Sequence, residues 1–275
     1  MRPKHPIGVF DSGMGGLTVL KEIVKRLPDY DYLYLGDNAR APYGPRSFDT
    51  VYEFTLQSVK QLFAMGCPLV ILACNTASAK ALRNIQQKDL PKIAPDNRVL
   101  GVIRPTAEIV GSLTKNKKIG VLGTQGTVNS NSYPIEIAKF SQDVSVTQEA
   151  CPMWVPLVEN NEHLSVGADY FVKKHLDHIL HSDPGIDTII LGCTHYPLLL
   201  DTIKKFLPSN IQLIAQGEIV AEKLEDYLLR HPEMEQRISK EGKREFYTTD
   251  SPEQFDASAK IFFGEKIKSR HLHLD

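Results

Sequence analysis

Apolar residues along the chain fall into two alternating patterns, short continuous runs of strand length and longer stretches in which they return every three or four positions. That alternation is the mark of parallel α/β architecture. Four runs, at residues 7–10, 69–73, 119–122 and 188–191, stay apolar for about a strand's length and end in small or polar residues, so they predict buried strands. Leu17, Leu20, Val24 and Leu27 follow the first run at helical spacing and predict a core-facing helix. Phe48, Val51, Leu56, Val59 and Phe63 predict a second, looser one.

The pattern also repeats on a larger scale. Ile7-Gly8-Val9 returns as Ile119-Gly120-Val121, 112 residues later, and Ile71-Leu72-Ala73-Cys74-Asn75-Thr76 lines up with Ile190-Leu191-Gly192-Cys193-Thr194-His195, 119 residues later. Two shifts this similar predict two related α/β units, against a chance likeness of short apolar strands. Each unit places one cysteine just past the carboxyl end of a strand, where open α/β sheets build their sites. Pro91, Pro95, Asp96 and Asn97 interrupt the pattern and put a boundary near residues 94–98, with a second return near Pro208.

Composition narrows the classes. A chain of 275 residues exceeds the usual single domain, and 42% hydrophobic with 24% charged residues is ordinary for a folded globular protein. With a formal net charge of −1 and no dense basic arm, nucleic acid is not an expected partner. The segment before the first apolar run is too short for a secretory signal, so the expected location is cytoplasmic. No apolar stretch approaches the roughly 20 residues that cross a bilayer, so no membrane span is expected. Four cysteines, at positions 67, 74, 151 and 193, are too few for a disulfide scaffold and show no C-x-x-C zinc spacing.

The loop Asp11-Ser12-Gly13-Met14-Gly15-Gly16 lies between a predicted strand and helix, where backbone amides could meet an anion. Thr18 stands where the dinucleotide fingerprint needs its third glycine, and no Gly-Lys-Ser or Gly-Lys-Thr is present. A small carboxylate or a purely structural tight turn remain the two readings of this loop. Cys67 and Cys151 read as small apolar core residues. Cys74 and Cys193 each end a strand and precede hydrogen-bonding side chains, Asn75 and Thr76 in one case, Thr194 and His195 in the other. One reactive cysteine with His195 as base would suit a thiolate hydrolase or transferase. Two thiols in equivalent positions, approaching one molecule from opposite sides, suit removal of a proton on one face and its return on the other, which is racemisation. A free thiol ionises only slightly at neutral pH, so each sulfur needs a neighbour to adjust its protonation, and Asp11 and His195 are the candidates. His175, His178 and His181, spaced by three among lysines and Asp177, read as a solvated helix face rather than a metal site.

Taken in order, the blocks Ile7-Gly8-Val9-Phe10-Asp11-Ser12-Gly13-Met14-Gly15-Gly16-Leu17, Gly36-Asp37 through Pro42-Tyr43-Gly44, Ala73-Cys74-Asn75-Thr76-Ala77-Ser78, Gly126-Thr127-Val128, Val155-Pro156-Leu157-Val158-Glu159 and Gly192-Cys193-Thr194-His195-Tyr196-Pro197 resemble the glutamate racemase family over nearly the whole chain. The resemblance implies interconversion of L- and D-glutamate without metal, pyridoxal phosphate or other cofactor, supplying D-glutamate for bacterial peptidoglycan, cell-wall biogenesis and cell shape, by a homodimer. It matches the catalytic thiols to Cys74, taking the proton from D-glutamate with help from Asp11, and Cys193, taking it from L-glutamate with help from His195. Asp37 and Glu159 become further polar groups at the site, counted with the catalytic residues, and Ser12, Tyr43, Gly44, Asn75, Thr76, Thr127 and Thr194, with Asp11 and His195, hold the substrate. The implied fold is two similar α/β domains with mainly parallel sheets, related by a pseudo-twofold and facing across the site. The first comprises residues 1–97 plus 208–275 and the second residues 98–207. Asn38, Ala41 and Thr106 depart from the commonest family pattern, where Thr, Phe and Gly are usual. The related aspartate racemases commonly carry Glu at the position of His195, which favours glutamate; a non-catalytic amino-acid binder would have no need of the second cysteine.

Overall fold

The computed structural model describes residues 4–274; residues 1–3 and 275, which the sequence assigns to the ends of the first domain, lie outside the described residues. In chain order the strands are β1 (Ile7–Asp11), β2 (Tyr32–Gly36), β3 (Leu69–Leu72), β4 (Arg98–Gly101), β5 (Lys118–Gly123), β6 (Ser145–Ala150), β7 (Thr188–Gly192), β8 (Gln212–Ile214), β9 (Arg244–Thr248) and β10 (Ser269–His271). They form two sheets, ordered β10-β9-β2-β1-β3-β4 and β6-β5-β7-β8. Every pairing in both is parallel. Parallel strands must be joined by crossovers, and the helices that supply them cover the sheets and bury the strands.

The four strands β2-β1-β3-β4 have the same order as β6-β5-β7-β8, so the repeat is a repeat of topology. It is also one of register. Gly8 pairs with Val70 in the first sheet and Gly120 with Ile189 in the second, the same shifts of 112 and 119 residues that relate the two sequences. β9 and β10 then extend the first sheet beside β2. The expected break between residues 97 and 98 needs correcting. β4 pairs along its length with β3 and belongs to the first sheet, while β8 pairs with β7 and belongs to the second. Proline and turn residues marked the loop ahead of β4, but hydrogen bonding decides which sheet a strand joins.

The chain therefore passes between sheets twice, at Val102 after β4 and at residues 215–216 after β8. One continuous hydrophobic core runs through both halves, from Ile7, Leu20 and Ile71 to Trp154, Ile189 and Leu199. Leu17, Leu20, Val24 and Leu27 face it as expected, on the helix Leu17–Arg26 and its C-cap. The helix Phe48–Ala64 differs, because Val51, Thr55, Ser58, Val59 and Leu62 form its buried face and Phe48 lies 46% exposed at its first turn. Thr55 and Ser58 enter that face because their hydroxyls donate to the carbonyls of Val51 and Phe54 one turn back. Among the described residues no helix is long and apolar enough to cross a membrane.

This placement predicts opposite outcomes for two apolar positions of one helix. Val51→Ala should lower unfolding stability by about 2 kcal/mol in denaturant titration, whereas Phe48→Ser should change it by less than about 1 kcal/mol. A larger loss from Phe48→Ser would restore the stripe read from the sequence.

Candidate active site

The carboxyl ends of β1, β3, β5 and β7 carry the loops that meet between the sheets. Cys74 follows β3 and caps the helix Asn75–Lys80, its sulfur accepting the Ala77 N–H at 3.4 Å. Cys193 follows β7, at the equivalent place in the second half. Both are buried, and each lies close enough to the other for their charges to interact.

The surroundings of the two thiols differ. The Cys74 thiol donates toward the Ser12 hydroxyl at 3.5 Å and stands near the Asp11 carboxylate. Burial, reinforced by that carboxylate, pushes it up to about 12, so it carries its proton at neutral pH. Asp11 ends β1, is fully buried and is itself raised by burial, against the lowering effect of His195 and of the Gly16 and Gly13 amides. Its Oδ2 accepts the Gly13 N–H at 3.0 Å, while Oδ1 has no protein partner.

On the other side His195 Nδ1 lies 4.0 Å from the Cys193 sulfur and Nε2 lies 3.0 Å from Glu159 Oε1. Burial opposes a charge on the ring, but hydrogen bonding to Cys193 and Glu159 outweighs it and pushes the imidazole up to about 10. A thiol, an imidazole and a carboxylate thus stand in line, with the carboxylate orienting the ring. Glu159 comes from the last residue of the helix Trp154–Glu159, whose Trp154 packs edge-on against Tyr196 at 4.8 Å.

The glycines between β1 and the next helix are required by close approach. A Cβ on Gly15 would sit 2.3 Å from Thr194 Oγ1 and 2.5 Å from the His195 ring, and one on Gly16 would sit 2.5 Å from Asp11 Cβ. The Thr18 hydroxyl fixes the contact by donating to the Thr194 carbonyl at 2.9 Å. A second bridge is made of hydroxyls, Thr76 to Thr124 at 2.9 Å and Thr124 to Thr127 at 3.2 Å. Gly44 packs there too, 3.2 Å from Thr124 Cβ by its would-be Cβ.

Asp37 is placed differently from the role the resemblance gave it. Its Oδ2 accepts from Arg40 Nε at 2.7 Å and from the Tyr43 hydroxyl, and its Oδ1 accepts from Thr249 at 2.9 Å. With both oxygens engaged it braces the loop that presents buried Tyr43 and Gly44. Asn38 accepts from Thr248 in the same loop. The histidine helix also needs one correction. His178 and His181 are exposed, but His175 is buried and shares Glu149 with His178, each at 2.6 Å. Among the described residues no group of three or more His, Cys, Asp or Glu could hold a metal ion.

Two site neighbours were not singled out in the sequence. Thr124 caps the helix Gln125–Asn129 and bonds Thr76 across the sheets. Tyr133, fully buried, donates to Asn75 Oδ1 at 2.7 Å. Thr124 lies in the polar loop after a predicted strand and was within reach of the same reasoning that found Cys74. Tyr133 carries no local signal, because its role depends on a partner 58 residues away.

The family model for Asp/Glu/Hydantoin racemase matches residues 7–224. The glutamate racemase of Enterococcus faecalis is 42% identical over 280 residues, covering 100% of this chain and 98% of its own. A glutamate racemase isoform from Bacillus anthracis superimposes with a TM-score of 0.89 at 36% identity, covering 98% of both chains. The glutamate racemase of Francisella tularensis, solved with D-glutamate, gives 0.88 at 33% identity over 99% of this chain and 98% of that one.

The raised His195 generates a stability prediction. Above the unfolded imidazole's pKa, near 6.5, the unfolded chain releases a proton that the native chain keeps until about pH 10, so this contribution is complete below pH 6.5 and is lost as pH rises to 10. The stability difference between the native protein and His195→Asn should therefore shrink between pH 6.5 and 10 in thermal melts. A difference that is flat over that range would mean the ring is neutral.

Proposed function

This chain belongs to the glutamate racemase family, and on that footing we propose that it interconverts L- and D-glutamate by passing the Cα proton between Cys74 and Cys193. The observation that carries the proposal is the placement of two buried thiols at equivalent strand ends of repeated halves, each with its own proton-handling neighbour. One sulfur, as thiolate, takes the Cα proton, and the electron pair of that C–H bond passes into the substrate carboxylate. The other sulfur, as thiol, returns a proton to the opposite face. Each turnover leaves the protonation of the two thiols exchanged, so both must re-equilibrate through their neighbours.

From L-glutamate, Cys193 is the base and Cys74, whose burial keeps it protonated, is the acid. His195, held by Glu159, serves the Cys193 side, and Asp11 serves Cys74. The free Asp11 Oδ1 can also receive the substrate ammonium, whose positive charge would favour the thiolate of Cys74 in the D-to-L direction. Hydroxyls and amides at Ser12, Tyr43, Gly44, Asn75, Thr76, Thr127 and Thr194 would hold the two carboxylates. Water exclusion strengthens each of these interactions. We further propose that the reaction supplies D-glutamate for peptidoglycan, and so for cell-wall growth and cell shape, in the cytoplasm, by a homodimer needing neither metal nor pyridoxal phosphate.

Two experiments test this reading. Optical rotation of L-glutamate should decay in the presence of the purified chain without added metal or pyridoxal phosphate, and Cys74→Ser or Cys193→Ser should each reduce the rate by at least about a thousandfold, since a hydroxyl is a far weaker acid than a thiol. Full activity in either variant would sink the two-thiol mechanism. In deuterated water the enantiomer formed should carry deuterium at Cα, and product retaining the substrate hydrogen in a single turnover would contradict it. Aspartate, one methylene shorter, is the control substrate and should react about 10–200-fold less efficiently.

A further inference from the structure

The two places where the chain passes between sheets are bonded to each other and to the helix that Cys74 caps. Gln216, buried at the crossing after β8, donates from Nε2 to the Val102 carbonyl at 3.0 Å and to Thr106 Oγ1 at 3.0 Å. Val102 is the crossing after β4, and its N–H donates to Ser78 Oγ at 3.3 Å. Ser78 lies on the helix Asn75–Lys80. On the far side the Gln216 amide interacts with the hydroxyl of Tyr133, which donates to Asn75 Oδ1 at 2.7 Å. The path Asn75, Tyr133, Gln216, Val102, Ser78 thus starts and ends on one short helix and passes through both connections.

We infer that Tyr133 and Gln216 are positioning residues, fixing the Asn75 side-chain amide so that its N–H groups face the substrate. An asparagine amide can flip by half a turn, and the donor that meets its oxygen decides which way it points. Tyr133 can meet that oxygen only as a donor, and the Gln216 amide, its two N–H groups given to Val102 and Thr106, is held beside the phenol and confines it. The Tyr133 ring lies against the strand end that carries Cys193, because a Cβ on Gly192 would stand 3.2 Å from Tyr133 Cε2. The amide after one catalytic thiol is therefore set by a side chain packed beneath the other. Thr106 takes part as the second acceptor of Gln216, a role that a glycine at this position could not fill.

The inference rests on the proposed role of Asn75 in holding substrate, and its test has one arm independent of that role. In the protein labelled with ¹⁵N and without substrate, the Asn75 side-chain amide, assigned by its loss in Asn75→Ala, should give two well-dispersed, slowly exchanging proton signals. Tyr133→Phe, which keeps the ring and removes the hydroxyl, should shift and broaden them, and Gln216→Leu should do so more weakly. In the kinetic arm, Tyr133→Phe should raise KM for both enantiomers about tenfold, the loss of one well-made hydrogen bond, with kcat changed less than about twofold. In an Asn75→Ala background Tyr133→Phe should raise KM no further. Unchanged amide signals in folded Tyr133→Phe, or additive effects with Asn75→Ala, would overturn the inference. If Tyr133→Phe does not fold, Gln216→Leu, which leaves the phenol in place, decides by the same signals. A native protein that does not act on glutamate would instead defeat the proposed function, and the substrate-free signals would still show whether Tyr133 holds Asn75.

Discussion

The loop after β1 lies against the loop after β7 without a side chain between them, and the placing of Asp11 against Thr194 and His195 depends on that approach. Gly15 leaves the room that Thr194 and His195 fill, and Thr18 bonds the Thr194 carbonyl so that the contact has one register. Were the loops a side chain's width further apart, the interactions of Asp11 with His195 and of Cys74 with Cys193 would weaken. The sequence left the glycine-rich loop between a site for a small carboxylate and a tight turn, and in the structure its glycines answer to a neighbour in the protein. One of its side chains, Asp11, is the group left with a buried oxygen to offer.

The electrostatic consequence is a site whose halves match in backbone and differ in charge. Cys74 sits beside a buried acid and a helix N–H, whereas Cys193 sits beside an imidazole that a carboxylate orients. Burial acts on both sides, but it raises the acid of one and is overcome at the imidazole of the other. Symmetric topology thus places the two sulfurs, and their neighbours give each a different electrostatic setting.

Central strands were legible in the sequence because burial on both faces makes them continuously apolar, as in β1, β3, β5 and β7. The edge strands β4, β6, β8 and β10 were not legible, since half-exposed strands such as Ser145–Ala150 alternate polar residues and carry few apolar ones. β2 and β9 escaped for a different reason: nothing in the pattern around either repeats, although β2 is as long and as buried as β1. Cys74, Cys193, Asp11 and His195 were singled out because they stand at or just past strand ends, and the structure brings them near one another. The true partners of Asp37, and the burial of His175 against Trp154, depend on contacts between distant segments that no local pattern carries.

The strand β9 reaches the site late. Thr249, just past its end, holds Asp37, and Asp37 holds the loop bearing Tyr43, so residues about 210 apart in sequence complete one small structure. The second sheet uses a contiguous stretch from β5 to β8, whereas the first waits for strands made after the second sheet's last one. On the ribosome the half bearing Cys193 can close while the half bearing Cys74 still lacks a border. Until the last strands emerge, the nascent chain carries an open β2 edge, exposed to whatever else in the cell can pair with it.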